Sequence, residues 1–228
     1  MPVKILDKVQ FRLDLKEFFQ ATRIRPDSQD GDRVRALAKE AEGIARPKAV
    51  FREVLIVDRG QSFVTLDSIK INSQILRVNS QGLDRVFAYV ASCGMELFNW
   101  AQGYFDMLDR YLADSIMERA LNSALKGLED YLRDNFNADR LSYINPGSLE
   151  DWPIEGQADL FGLLGDVEGA IGVRLTESYL MLPFKSSSGI LFSAEKDYSS
   201  CMLCDRPTCP NRRAAYDSKL YETKYRDS

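Results

Sequence analysis

The stretch AVFREVLIVDRGQSFVTLDSIKINSQILRV, residues 49–78, decides the fold class. Its runs AVFREVLIV, SFVTL and IKINSQILRV are rich in β-branched and aromatic residues, and all three read as strand. Asp58-Arg59-Gly60 and Asp67-Ser68 separate them with residues that favour tight turns, so the strands should form hairpins. Hairpins give antiparallel pairs. A further buried strand, RVFAYVAS (85–92), ends at Cys93-Gly94.

Upstream of this block, residues 3–15 alternate loosely through Val9, Phe11, Leu13 and Leu15 and read as a strand. Phe18 and Phe19 then begin a turn or short helix. Residues 25–33 form a polar loop. Residues 32–45 have helical spacing, with Val34, Leu37, Ala38 and Ala41 on one face, and Pro47 provides the stop. Downstream, residues 95–135 are helical, with leucines and Ile116 recurring from Leu108 to Leu132. This run exceeds a typical globular helix, so a break or bend is expected before Phe136-Asn137-Ala138-Asp139 ends it. Residues 140–151 read as a turn-rich loop. Pro153 stands near the start of a helix, IEGQADLFGLL, where its missing N–H costs nothing. Gly165 to Gly169 reads as a loop, and 170–175, 178–183 and 189–193 read as strands. The last fifteen residues, with Tyr216, Tyr221 and Tyr225, form a peripheral helix or tail. Strands and helices come in blocks rather than in βαβ alternation, which points to α+β with a mostly antiparallel sheet.

Composition narrows the chemistry. The chain has 228 residues, 45% of them apolar and 28% charged, enough to bury a core and too apolar for disorder. A net charge of −4 disfavours a nucleic-acid partner bound through its phosphates. No apolar run approaches the ~20 residues of a membrane span. The opening MPVKILDKVQFRLDLKEFF is broken by charges and lacks a signal-peptide core, so the expected compartment is the cytoplasm. There are no histidines. This excludes Ser-His-Asp and Cys-His nucleophile systems and zinc hydrolases with imidazole ligands. It also means that the chain supplies no histidine to a metal or corrinoid. There is no P-loop or dinucleotide fingerprint, and Gly162, Gly165, Gly169 and Gly172 read as turn glycines.

Three stretches carry candidate chemistry. The first is Arg140-LSYIN-Pro146-Gly147-Ser148, where a Pro-Gly turn exposes backbone groups able to hold an adenine or ribose and an arginine can clamp a carboxylate. The same residues also read as an ordinary turn feeding a helix. The second runs from Arg174 to Gly189. Glu177 interrupts two apolar strands, and Ser186, Ser187 and Ser188 offer hydroxyls; an edge hairpin is the alternative. The third is Cys201-x-x-Cys204-x-x-x-x-Cys209, flanked by Arg206, Arg212 and Arg213. Three thiolates so spaced suit zinc or an iron–sulfur cluster, with the fourth ligand supplied from elsewhere. The alternative is a set of redox-labile thiols.

The order Arg140…Pro146-Gly147-Ser148…Trp152-Pro153-Ile154-Glu155-x-Gln157-x-x-Leu160-Phe161 is followed by Ile171-Gly172-Val173-x-Leu175-Thr176-x-Ser178-Tyr179-x-Met181-x-Pro183-x-x-Ser186-x-Ser188-Gly189-x-x-Phe192-Ser193. It resembles the activation, or S-adenosylmethionine-binding, domain of cobalamin-dependent methionine synthase. A weaker likeness extends back through Ala91-Ser92-Cys93-Gly94 and Pro47-Lys48-Ala49. The resemblance implies a bent antiparallel sheet flanked by helices, forming one domain over residues 1–228. Within it, 1–135 would form an N-terminal α+β half, 136–198 the half with the S-adenosylmethionine site, and 199–228 the cysteine-rich segment and tail.

The resemblance further implies reductive activation of a corrinoid methyltransferase. S-Adenosylmethionine would be the methyl donor, cobalamin would sit on a partner (a corrinoid-binding protein or the methionine synthase core), and a reductase would supply the electron. By this likeness Arg140 binds the ligand carboxylate, Pro146, Gly147 and Ser148 hold the adenosine, Asp14 faces the amino group and Tyr198 lines the groove; Glu177, from the second stretch, is a further candidate ligand contact. The family's arginine stands three residues before the proline, whereas Arg140 stands six before Pro146. The Cys201, Cys204, Cys209 cluster has no counterpart in that domain. An adaptor, or a metal or iron–sulfur redox module docking on a corrinoid protein, is the competing reading.

Overall fold

In the computed structural model, which describes residues 2–138, 140–193, 198–206, 208–209 and 212–225, the 49–78 stretch begins as two hairpins. Strands β1 (Lys4–Leu6), β2 (Lys48–Arg59), β3 (Phe63–Leu66), β4 (Ile69–Asn72) and β5 (Arg85–Ser92) come from the first half of the chain. Strands β6 (Leu141–Ile144) and β9 (Ser186–Ser193) join them in the order β4-β3-β2-β5-β9-β6, with β1 also on β2. Every strand pairing is antiparallel. A separate hairpin pairs β7 (Arg174–Leu175) with β8 (Met181–Leu182). The α+β reading with a mostly antiparallel sheet holds.

Period-two alternation divides the core between the two faces of this sheet. One face carries Val50, Val54, Val86 and Val90 against α6 (Gln157–Leu164) and α7 (Val167–Ile171). The other carries Phe51, Phe87 and Tyr89 against Leu128 and Leu132 of α5 (Met107–Phe136). The Phe87 and Phe136 rings meet edge-on at 5.0 Å, a geometry that adds ~0.5–1.5 kcal/mol to the burial itself. Helices α1 (Leu15–Thr22), α2 (Gln29–Ile44) and α4 (Met95–Ala101) close a third cluster around Val34, Leu97 and Ile116. The expected helical break falls at 102–106, where the Asp106 carboxylate caps α5 by accepting from the N–H groups of Leu108 and Asp109. From there α5 runs unbroken for 30 residues until Asn137, at φ 52°, ends it.

Several local expectations are corrected. Residues 74–78 form helix α3 (Gln74–Asn79) rather than strand. Ser73 Oγ accepts from Leu76 N at 2.9 Å, and the Asp151 carboxylate accepts from Gln74 N at 3.0 Å, so capping overrides the β-branched composition. Only Lys4–Leu6 of the 3–15 stretch is strand. Beyond it Leu13 N donates to Glu42 Oε1 at 2.9 Å, a side chain taking the place of a ladder partner. Residues 141–144, expected as loop, form β6 because β9 offers them a free edge. The 165–169 loop contains the start of α7, capped by Asp166. Gly172 ends that helix, leaving only Arg174–Leu175 and Met181–Leu182 of the two strands expected there. Among the described residues no helix is long and apolar enough to cross a membrane.

Candidate functional site

A groove of about 990 Å³ runs between α5 and the β6–β9 edge of the sheet. Glu118, Asn122, Lys126, Glu129 and Arg133 line it from α5. Tyr143, Asn145, Pro146, Ser148 and the Ser186–Ser188 run line it from the sheet side. Met181 and Phe184 of the small hairpin close one part, and Arg212 and Arg213 of the cysteine segment another.

Local chemistry holds the sheet-side wall in place. Asn145 Nδ2 donates to the Tyr89 hydroxyl at 2.8 Å and to the Ser188 carbonyl. This brings the end of β6 close over Gly189, where a Cβ would meet the Ile144 carbonyl oxygen at 2.5 Å. Only glycine permits that approach. The turn that follows has Pro146 in its second position and Gly147 at φ +75° in its third, with Ser148 N donating to the Asn145 carbonyl at 3.2 Å. These are the features of a type II turn. Gly147 N donates to the Trp152 carbonyl at 2.8 Å, so the turn is tied to the segment that follows it.

The groove is charged on both sides without being neutralised throughout. Lys185 Nζ lies 2.9 Å from Asp114 and 3.7 Å from Glu118, and Arg133 lies 2.9 Å from Asp130. Burial pushes the Glu129 carboxyl above the usual range, against the pull of Arg213 and Arg133. Burial also raises the Tyr89 phenol, opposed by its hydrogen bonds to Ser187 and Asn145.

The sequence-predicted residues fall in different places. Pro146 and Ser148 line the groove. Gly147 and Ser148 line a second hollow of about 600 Å³ across the turn, beside Asp151 and Cys204. Asp14 caps α1, accepting from Glu17 N at 3.0 Å. It faces a hollow of about 310 Å³ that shares Asn122 and Lys126 with the groove. Arg140 is exposed just before β6 and is not among the groove-lining residues. Glu177 is exposed in the turn joining β7 to β8. Tyr198 is in the core, 7% exposed, with its ring 6.5 Å from that of Phe192 and its N–H donating to Ser142 Oγ at 3.1 Å. Its hydroxyl has no hydrogen-bond partner among the described residues, and burial raises its pKa.

The cysteines are free: Cys93 is buried, Cys201 and Cys204 half-buried, and Cys209 exposed. Pro207 and Pro210, on either side of Cys209, lie outside the described residues. Among the described residues no three Cys, Asp or Glu side chains converge as a metal site. A guanidinium organises this loop instead. Arg212 donates to the carbonyls of Cys201 at 3.0 Å, Cys204 at 3.0 Å and Ala214 at 3.2 Å, and to that of Arg206. These bonds go to main-chain carbonyls and none to a thiol. Burial works to raise the Cys201 thiol, but donors from Arg213 N, Ser199 and Ala214 N and the charge of Arg212 outweigh it and hold the thiol below its ordinary value.

Sequence reasoning missed the α5 wall. Its signal was a polar stripe, Glu118-Asn122-Lys126-Glu129-Arg133, at helical spacing, which looks the same as a solvated face until a second wall stands opposite it. Tyr143 and Asn145 lie inside the 140–151 stretch, whose turn residues read as loop.

This sheet, with the long helix across one face and the groove at the β6–β9 edge, has the fold of methionine synthase reactivation domains. A solved structure of the MetH reactivation domain bound to AdoHcy is similar over 87% of this chain and 81% of that chain, with a TM-score of 0.64 and 18% sequence identity. No protein-family model and no curated protein matches the sequence.

Proposed function

We propose that the groove between α5 and β6–β9 binds S-adenosylmethionine, and that the chain presents its methyl group to a corrinoid carried by a partner protein. The observation that carries this reading is the Asn145–Ser148 turn, held rigid at the rim of a groove on a fold whose solved relative was crystallised with AdoHcy. The turn's peptide groups and Pro146 would hold the adenosine. The partner would be a corrinoid-binding protein or a methionine synthase core, with a reductase as electron donor.

The reaction asks little acid–base chemistry of the protein, in keeping with a chain that lacks histidine. The partner's corrinoid, reduced by the electron donor, would supply the nucleophile that accepts the methyl group. The methyl would be given up as the S–CH3 bond of the sulfonium breaks, with neutral S-adenosylhomocysteine as the leaving group, while this chain holds and orients the donor. The sulfonium is already an activated leaving group, so the protein's contribution is orientation and electrostatics.

The test is spectroscopic. A Co(II) corrinoid protein, a low-potential reductant and S-adenosylmethionine should yield methyl-Co(III) faster when this chain is added. An unchanged rate, with ligand binding intact, would overturn the activating role.

A further inference from the structure

We infer that Arg213 and Glu129 form the subsite for the ligand's α-amino-acid end, so that the cysteine segment, which carries Arg213, is one wall of the ligand site. This rests on the S-adenosylmethionine reading above and deepens it. A recess of about 30 Å³ opening off the main groove has Glu129, Arg213, Tyr143, Tyr89 and Ser187 as its polar lining beside Leu125 and Leu191, and all but Tyr89 and Leu191 also line the main groove. Among the described residues neither Glu129 nor Arg213 forms an ion pair. One cation and one carboxylate that share a recess without a salt bridge between them match the carboxylate and ammonium of a zwitterionic amino acid.

Arg213 is positioned from two sides. Its guanidinium lies over the Tyr143 ring, 4.9 Å from the centroid, and donates to the Tyr143 hydroxyl. Its main-chain N–H donates to Cys201 Sγ at 3.5 Å, and the neighbouring Arg212 ties the backbone to the Cys201 and Cys204 carbonyls. Stacking leaves the outer edge of a guanidinium free for a bidentate carboxylate. Arg140, in contrast, lies outside the groove lining.

The experiment compares S-adenosylhomocysteine with 5′-methylthioadenosine, which keeps the thioether and adenosine but lacks the amino-acid end. Calorimetry is run on the full chain and on its Arg213→Ala and Glu129→Gln variants. Wild type should prefer S-adenosylhomocysteine by ~10- to 100-fold, the effect of a charge-assisted contact. Arg213→Ala should lose most of that preference while binding methylthioadenosine as before, which also reports that the variant is folded. Glu129→Gln should lose a smaller share. Equal preference in Arg213→Ala and wild type would overturn this inference alone, as would a wild type that does not distinguish the two ligands. A wild type that binds neither would overturn the S-adenosylmethionine reading, and this subsite with it.

Discussion

The guanidinium of Arg213 lies over the ring of Tyr143, 4.9 Å from its centroid, although 70 residues separate the two in the chain. Tyr143 stands three residues before Pro146, where the resemblance would place an arginine. A cation therefore reaches this part of the groove by another route, from the cysteine segment. Replacing Tyr143 by Ala should remove the stacking surface and weaken S-adenosylhomocysteine binding by a few-fold, since an exposed cation–π contact is worth ~0.5–1 kcal/mol. Tyr143→Phe should retain most of the affinity. Calorimetric titration of both variants checks this, and equal losses would show that the hydroxyl rather than the ring positions Arg213.

Gly147 is placed by its backbone. At φ +75° any side chain is strained, by about 1–2 kcal/mol, and a Cβ would also meet Ile154 Cδ1 at 2.7 Å. Gly82, at φ +78° with nothing within 4 Å of its would-be Cβ, isolates the conformational part. Urea unfolding should therefore find Gly147→Ala less stable than Gly82→Ala, and ligand affinity should fall only in the former. Equal stabilities would mean that the turn yields to Ile154.

Glu129 should cost stability at neutral pH. Its folded pKa is raised by burial, so as pH rises the unfolded chain ionises first and the folded state is penalised. The penalty is absent below the unfolded value of ~4.3, grows as pH rises towards the raised folded value and is complete above it. Glu129→Gln should accordingly be more stable than wild type at pH 7, with the advantage shrinking towards pH 3.5. A variant less stable at pH 7 would mean that the carboxylate is stabilised by contacts that outweigh its burial.

Thiol reactivity should separate the cysteines. Cys201 is held below its ordinary pKa and is partly accessible, whereas burial pushes Cys93 up to about 12. Only the thiolate attacks iodoacetamide. Peptide mapping after brief treatment at pH 7.5 should show Cys201 labelled and Cys93 untouched. Because Cys201 Sγ accepts from Arg213 N, the labelled protein should also bind S-adenosylhomocysteine more weakly. Early labelling of Cys93 would contradict the packing described for it.

The legible parts of the fold were those written in local periodicity. The β2–β3–β4 hairpins, β5 and the α2 face follow from alternation and turn residues, and the need for a break between α4 and α5 follows from the length of the helical run. The misread parts were decided by partners distant in sequence. Residues 74–79 became helix through Asp151, and residues 141–144 became strand through β9. The site divides in the same way. A Pro-Gly-Ser turn is a local signal, and the structure brings Pro146 and Ser148 to the groove. Arg213 and the α5 stripe reach it only through tertiary packing, and their residue types alone gave no reason to join them.

Isothermal titration of the 228-residue chain with S-adenosylmethionine, repeated with S-adenosylhomocysteine, tests the central claim most directly. The account predicts saturable binding at one site per chain for both ligands, weakened by Arg213→Ala. Absence of binding by either ligand to the folded protein would contradict it.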